Sequence, residues 1–524
     1  MKHFITAFLL LGIFLAISCQ DTPTPKREKA DLSDTDFIYL KDNHFELRNE
    51  PFFPIMLNYI VSFRNINKEF VISPYIDYDE VGVYEANTKE EIAHQLSGHF
   101  QLIKEMGFNT IRVCFDRMER GDAYFYKADE KAYFIATNSK KILNGLETFV
   151  NLAGENGLRI MLLIKNPAEH ESIENFTVRI LKRFKDNPVI FAYDFMNKPL
   201  YLDKEPTVKK KKKELYRIVS HWDDLMYKHA PNQLFTIGFT EPLEVHRWDP
   251  ALLPVDFVSF HTYNPLRVKN EIYWYSSYVD KAWMIGETSL PADNDSISYE
   301  EQASFMRDVY QYVVDCGGAG FGWWNFQEEA QGTFEAKYTG ILNHEDTTTT
   351  QDEKYTIQGS IKPAAKEIPF FSEYTPKEKV RPVNYFNIVG YNNYLIKGKI
   401  LNKKTKQPIE GAVVRGWNKE WLGQNTFTDA NGEFMLYSND ECVHFEISAP
   451  KMEKIKLKKS LKYTQTADGT FDRNNLPQQK LEYQNICYKS FLKDNATSVF
   501  DFDETKFNKS KFTGEIGELY LSPL

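Results

Sequence analysis

Val189-Ile190-Phe191-Ala192-Tyr193-Asp194-Phe195-Met196-Asn197-Lys198-Pro199 decides how this chain is read. Eight residues run with a single charged break, and Asn-Lys-Pro then stops them. A strand with one wet face alternates apolar and polar positions, whereas a parallel strand covered on both faces does not. Seven further runs of this kind lie along the chain: Phe52–Leu57, Thr110–Phe115, Arg159–Ile164, Leu234–Phe239, Asp256–Phe260, Ala282–Gly286 and Gly320–Trp324.

Helices are predicted between these runs. Thr88-Lys89-Glu90-Glu91 is a capping box ahead of Ile92, Leu96, Phe100, Ile103 and Met106, and Ser298-Tyr299-Glu300-Glu301 opens a helix reaching Val314. Gly157 follows the helix holding Leu146, Phe149 and Val150, as a C-terminal cap does. Eight strand–helix units predict an α/β fold, a (β/α)8 TIM barrel over residues 37–374. A doubly wound sheet competes, but no glycine-rich phosphate loop follows the first run. Phe37–Pro51 reads as a short β-hairpin ahead of the barrel, in which Asn49-Glu50-Pro51 is a turn without chemistry. Long loops are expected at Asn58–Asn87 and Asp116–Thr137, where Tyr75, Tyr78, Tyr84, Tyr124, Tyr126 and Tyr133 suit either sugar stacking or loop packing.

At 524 residues the chain exceeds one ordinary domain, and 42% hydrophobic residues supply large cores. A net charge of −9 argues against a nucleic-acid partner. The basic run Lys209–Lys213 reads as a solvated surface turn. Lys2 and His3 before the apolar Phe4–Ile17 have the plan of a signal peptide (residues 1–18). Ala16-Ile17-Ser18-Cys19 resembles a bacterial lipobox, which implies a lipid on Cys19 and anchoring in the cell envelope, at the outer membrane. Residues 19–36 then form a flexible tether. Cys114 and Cys316 sit in apolar patterns as free thiols, and no disulfide framework is evident among the remaining cysteines. The eleven histidines show no ligand spacing, so neither a metal nor a cofactor is expected.

Residues 375–390 read as a linker, and from Tyr391 the pattern changes to short strands and turns. Pro408-Ile409-Glu410-Gly411-Ala412-Val413-Val414 and Thr428-Asp429-Ala430-Asn431-Gly432-Glu433-Phe434 make residues 391–524 similar to the carboxypeptidase regulatory-like domain, a small all-β sandwich. That resemblance implies a structural or binding appendage, with other outer-surface proteins as its partners. Asn431-Gly432 is a hairpin turn on independent grounds. A closing strand is expected at Glu518–Leu521.

In such barrels the active site lies at the C-terminal strand ends. In strand order these ends offer Arg112, Asn197, Lys198, Glu241, His261, Tyr263, Glu287, Trp323 and Trp324. This constellation resembles clan A retaining glycoside hydrolases, with Asn197-Lys198-Pro199 standing where that family has Asn-Glu-Pro. The resemblance implies an oligo- or polysaccharide ligand. It makes Glu287 the nucleophile position, Tyr263 the hydroxyl that holds it and Arg112 its neighbouring arginine. Asn197 then binds the sugar 2-hydroxyl, and one of Trp323 and Trp324 is the platform beneath the sugar. His261 joins the substrate-binding set.

The departure is Lys198 at the acid/base position. Retaining hydrolysis uses two carboxyl groups about 5 to 5.5 Å apart. A lysine near its ordinary pKa of about 10.4 holds its proton too firmly to be a good general acid. Facing Glu287 at roughly 5 Å, it is also attracted by about 3 kcal/mol and blunts both partners. Three readings stand open. Another carboxyl, Glu241 first and Asp194 second, substitutes for the acid; or the barrel binds glycan without cutting it; or it is a scaffold in which Lys198–Glu287 is a buried ion pair.

Overall fold

The computed structural model describes residues 31–75, 86–118, 128–164, 171–202, 209–265, 267–329, 334–382, 393–418, 424–438, 440–466 and 512–524. The expected signal peptide, Cys19, Cys487, Tyr78, Tyr84, Tyr124 and Tyr126 lie outside these residues, as do the side chains of Cys114 and Tyr133, most of the tether and much of the linker.

Eight of the described strands follow the expected series: β1 (Ile55–Ile66), β2 (Thr110–Met118), β3 (Arg159–Leu163), β4 (Ile190–Asn197), β5 (Leu234–Phe239), β6 (Val258–His261), β7 (Trp283–Glu287) and β8 (Phe321–Trp323). They are hydrogen-bonded in the order β7-β6-β5-β4-β3-β2-β1-β8, and all these neighbours are parallel. Backbone bonds also cross between the two ends of that path. Ala319 N donates to Trp283 O at 2.8 Å, Ile285 N to Gly320 O at 3.2 Å and Thr288 N to Gly322 O at 3.1 Å.

Helices α1 (Lys89–Glu105), α2 (Ala128–Glu155), α3 (Glu171–Phe184), α4 (Lys212–His229), α5 (Val268–Tyr278) and α6 (Tyr299–Asp315) intervene. Both capping boxes form, at Thr88/Glu91 and Ser298/Glu301. The α1 residues Ile92, Leu96, Phe100 and Ile103 are buried in the core around the parallel strands, as their spacing predicts. No helix among the described residues is long and apolar enough to cross a membrane.

Three expectations change. Residues 37–51 form a three-stranded ribbon rather than a hairpin. Its Phe45 packs edge-on against Phe191 and Phe257, at the N-terminal ends of β4 and β6. Asn49-Glu50-Pro51 therefore belongs to the end of the sheet remote from the strand C-termini. The expected loop after the first strand is mostly an antiparallel extension: β1 runs on to Ile66 and pairs with Glu69–Pro74. Asn67 and Lys68 at φ 51° and 68° make a two-residue turn with both centres left-handed, without the glycine that usually signals it. The loop after β2 shrinks likewise, because α2 begins at Ala128.

The C-terminal region is a pair of four-stranded sheets. With β9 (Tyr394–Asn402), β10 (Val413–Trp417), β11 (Gln424–Phe427), β12 (Glu433–Ser438), β13 (His444–Ser448), β14 (Ile455–Lys458), β15 (Tyr463–Gln465) and β16 (Phe512–Leu521), the orders are β12-β9-β16-β15 and β11-β10-β13-β14. Ile396, Ile400 and Leu436 from one sheet meet Val414, Phe445 and Ile447 from the other in a separate core. The Asn431-Gly432 turn therefore joins a strand of one sheet to a strand of the other, not a hairpin ladder. The closing strand is longer than expected and lies parallel to β9.

This region docks beside the loop after β5. Lys212, expected in a solvated turn, is 4% exposed and bonds Asp249 Oδ2 at 2.9 Å and Ala449 O at 3.1 Å. Asp249 Oδ2 also accepts Lys451 N at 2.8 Å, and Trp274 Nε1 donates to Gly411 O at 2.9 Å. The run of lysines concealed one aimed inward, which charge patterning alone does not separate from its neighbours.

Candidate active site

Two irregularities in the ladder aim the central side chains. Asp194 stands opposite Thr236 but Asn197 opposite Gly238, so β4 carries one extra residue between them. A bulge of this kind bends the strand and re-aims the side chains beyond it. Lys198 comes next in the left-handed region at φ 50°, where non-glycine residues are rare, with its N–H bonded to Gly238 O at 2.7 Å. On β7 a second extra residue, Gly286, brings Glu287 opposite His261. A Cβ on Gly286 would lie 2.9 Å from His261 Nε2, and one on Gly238 would lie 2.8 Å from His261 Cε1. Both glycines leave space for that imidazole inside the sheet.

Glu287 is fully buried and surrounded by donors. Arg112 Nη1 bonds Oε1 at 2.6 Å, Lys198 Nζ lies 2.8 Å from Oε2, and the Tyr263 hydroxyl also donates to Oε2. His261 Nδ1 is 3.3 Å from Oε2. Burial by itself pushes the Glu287 carboxyl upward, yet the facing positive charges win and hold it well below the usual carboxylate range. A protonated His261 would add to this. Burial, with Arg112 and Lys198 nearby, drives the His261 pKa far down, so the imidazole is neutral and Lys198 and Arg112 carry the effect. Burial, then the Glu287 charge, raises the Tyr263 hydroxyl well above its ordinary value, which keeps it a donor.

Behind this pair lies a second layer. Arg112 Nε and Nη2 bond Asp194 Oδ2 at 3.0 and 2.8 Å, and Nη1 bonds Asn58 Oδ1 at 3.0 Å. Asn58 Nδ2 reaches Gly286 O at 2.9 Å and Trp323 O at 3.0 Å, tying β1 to β7 and β8. Burial pushes Asp194 up to about 6 despite Arg112 and the Gly238 N–H. Asn197 Oδ1 accepts from Arg112 Nη2 at 3.3 Å. Sequence reasoning missed Asn58, since an asparagine inside a strand carries no signal of its own.

The structure therefore brings together Arg112, Asn197, Lys198, His261, Tyr263 and Glu287. Trp324 joins them: Lys198 Nζ is 4.6 Å from the Tyr263 ring centre and 5.9 Å from that of Trp324. Three expected members behave otherwise. Trp323 is fully buried, with Nε1 on Thr339 O at 3.1 Å and its ring edge-on to Phe305 of α6, so alternation along β8 puts it in the core. His261 is buried beneath Glu287 and presents nothing to a ligand. Glu241 is occupied by partners other than those of Glu287. Its carboxylate accepts the Tyr201 hydroxyl, pairs with Arg267 and takes Asn425 Nδ2 at 3.2 Å from the C-terminal sandwich.

The cluster is thus a buried carboxylate with a tyrosine, an arginine and an ammonium around it and a partly buried tryptophan beside the ammonium. Residues 80–322 match the model of the cellulase family, glycosyl hydrolase family 5. That span holds Arg112, Asp194, Asn197, Lys198, His261, Tyr263 and Glu287, whereas Asn58 lies before it and Trp323 and Trp324 just past its end. No curated protein sequence matches the chain. Among solved structures, an exo-β-1,4-mannosidase from Opitutaceae bacterium strain TAV5 aligns at 13% identity over 62% of this chain and 59% of its own, with a TM-score of 0.42. The endo-1,4-β-mannanase of Rhizomucor miehei aligns at 13% identity over 64% of this chain and 100% of its own, with a TM-score of 0.42. An FMN-binding β-glucuronidase from Faecalibacterium prausnitzii L2-6 aligns at 13% over 81% of this chain and 58% of its own, at 0.43.

Proposed function

We propose that this protein is a carbohydrate-active protein whose residues 37–374 form a closed (β/α)8 barrel of the family 5 type. It binds an oligo- or polysaccharide at the Glu287 cleft and hydrolyses O-glycosidic bonds slowly at most. One observation carries the reading: Lys198 Nζ sits 2.8 Å from Glu287 Oε2, where a second carboxyl would be needed. Loss of a general acid costs about 10² to 10⁴ in rate, and an ion-paired nucleophile attacks more slowly still. Trp324 and Lys198 remain accessible at the mouth, which favours a ligand site over a scaffold.

Residual turnover then depends on Glu287 and favours substrates whose leaving group needs no proton. Hydrolysis of activated aryl glycosides is expected in the wild type and abolished in Glu287→Ala. Equal rates in the two would remove Glu287 from the reaction. A glycan array read beside this assay separates binding from cleavage, and a protein that binds no sugar would return the scaffold reading. The lipobox-like segment supports tethering to the cell envelope through Cys19, which radiolabelled fatty acid incorporation into wild type but not Cys19→Ala would test.

A further inference from the structure

We propose that Tyr201 is a stacking platform for a sugar ring beyond the Lys198 side of the cleft, held upright by the C-terminal sandwich. The proposal rests on the glycan-binding reading above. Tyr201 lies in the one-turn helix Pro199–Leu202, with its N–H on Lys198 O at 3.0 Å. It is 62% exposed, a large aromatic surface on the same turn that delivers Lys198 to Glu287.

An exposed tyrosine ordinarily leaves its hydroxyl in water and its ring free to move. Here the two ends of the side chain are treated differently. The ring faces solvent, while the hydroxyl donates to Glu241 Oε1 and is desolvated enough to raise its pKa. Glu241 is itself 8% exposed, and its other oxygen is taken by Arg267 and by Asn425 Nδ2 at 3.2 Å. Arg267 is braced in turn by Glu271 Oε1 at 3.0 Å, and the turn is fixed by Leu200 N on Glu244 Oε1 at 3.2 Å. A buried carboxylate, an arginine and an amide from a second domain thus all serve to orient one surface ring.

A fixed apolar face with its polar tip buried suits the C–H face of a pyranose, because it stacks without losing rotamer entropy on binding. The bond from Tyr201 N to Lys198 O closes a turn and keeps the two Cα atoms within about 7 Å, the span of roughly one sugar. A chain resting on Trp324 and passing Lys198 would meet Tyr201 next. The C-terminal sandwich, through Asn425, then acts as a positioning element for a distal subsite.

Calorimetric titration of the full chain with β-1,4-linked gluco- and manno-oligosaccharides of one to six rings tests this. Tyr201→Ala should weaken tri- to hexasaccharide binding about tenfold, a difference of about 1.4 kcal/mol, with the loss shrinking toward the monosaccharide. Tyr201→Phe and Asn425→Ala, which keep the ring but loosen its anchor, should each give a smaller loss on the same long ligands. Wild-type affinity for the hexasaccharide in Tyr201→Ala would overturn the platform while leaving the glycan reading intact. A wild type that binds none of these sugars and nothing on the glycan array would overturn both.

Discussion

Replacing Lys198 by glutamate should convert a quiet site into a working one. At 2.8 Å the Lys198–Glu287 attraction amounts to about 6 kcal/mol at an effective dielectric of about 20. The substitution removes that attraction and installs a repulsion between two carboxylates, which raises the pKa of one of them, the condition a general acid needs. Geometry favours it as well. A glutamate side chain is one bond shorter than lysine, so its oxygen would stop about 1.4 Å short of where Nζ now lies. With the ammonium 2.8 Å from Glu287, the nearest carboxyl oxygens would then be about 4 Å apart. That is compatible with the roughly 5 to 5.5 Å separation of retaining enzymes. A gain of about 10² to 10⁴ in the hydrolysis of unactivated oligosaccharides is expected, with a bell-shaped pH profile absent from the wild type. The assay is release of new reducing ends from whichever glycan the wild type binds. If Lys198→Glu binds that glycan as the wild type does and releases no more ends, the acid/base assignment of this position is wrong.

Three further outcomes are expected. Burial pushes Glu244 up to about 8 against its bonds to Thr240 and Leu200 N, so it is protonated at neutral pH. Its folded value lies above the unfolded one, so its stabilising share is full below about pH 4.5 and is lost as pH rises toward 8. The thermal unfolding midpoint should therefore fall less between pH 5 and pH 8 in Glu244→Gln than in the wild type, Asp194 at about 6 supplying part of the decline in both; parallel declines would refute it. Lys212→Met leaves Asp249, 0% exposed, without its cation, and should destabilise by about 3 to 5 kcal/mol in urea unfolding; an unchanged midpoint would mean that the domain junction does not need the pair. Trp323→Ala should cost about 3 to 5 kcal/mol of stability as a core truncation, whereas Trp324→Ala should leave stability nearly intact and weaken glycan binding. The reverse pattern would exchange their roles.

The eight parallel strands were legible because near-continuous apolar runs require cover on both faces, and strand order then put Arg112, Tyr263 and Glu287 at strand ends of one sheet. What escaped depends on side-chain direction, which periodicity does not carry across a bulge. Trp323 and Trp324 are adjacent, and only the pleat tells which one faces α6. Glu241 follows β5 as Lys198 follows β4, yet Arg267 and Asn425 draw its carboxylate toward the second domain. Lys212 looked like any lysine in its run until Asp249 and Ala449 O enclosed it. Each miss involved a partner far away in sequence.

The buried cluster also bears on what the site is for. Arg112, Asp194 and Glu287 are each no more than 2% exposed, and apolar residues of similar size usually serve stability as well or better. A barrel kept only as a scaffold has no use for that arrangement, or for Lys198 held in a left-handed backbone with its ammonium under Trp324. On the proposed reading, the geometry that slows hydrolysis is the same one that would hold a glycan without cutting it. Tyr263, Arg112 and Lys198 fix Glu287 as an acceptor, and a sugar lying on Trp324 would meet a rigid set of polar groups with little reorganisation to undergo. On this reading Lys198 would change what the site does with a ligand more than whether it has one.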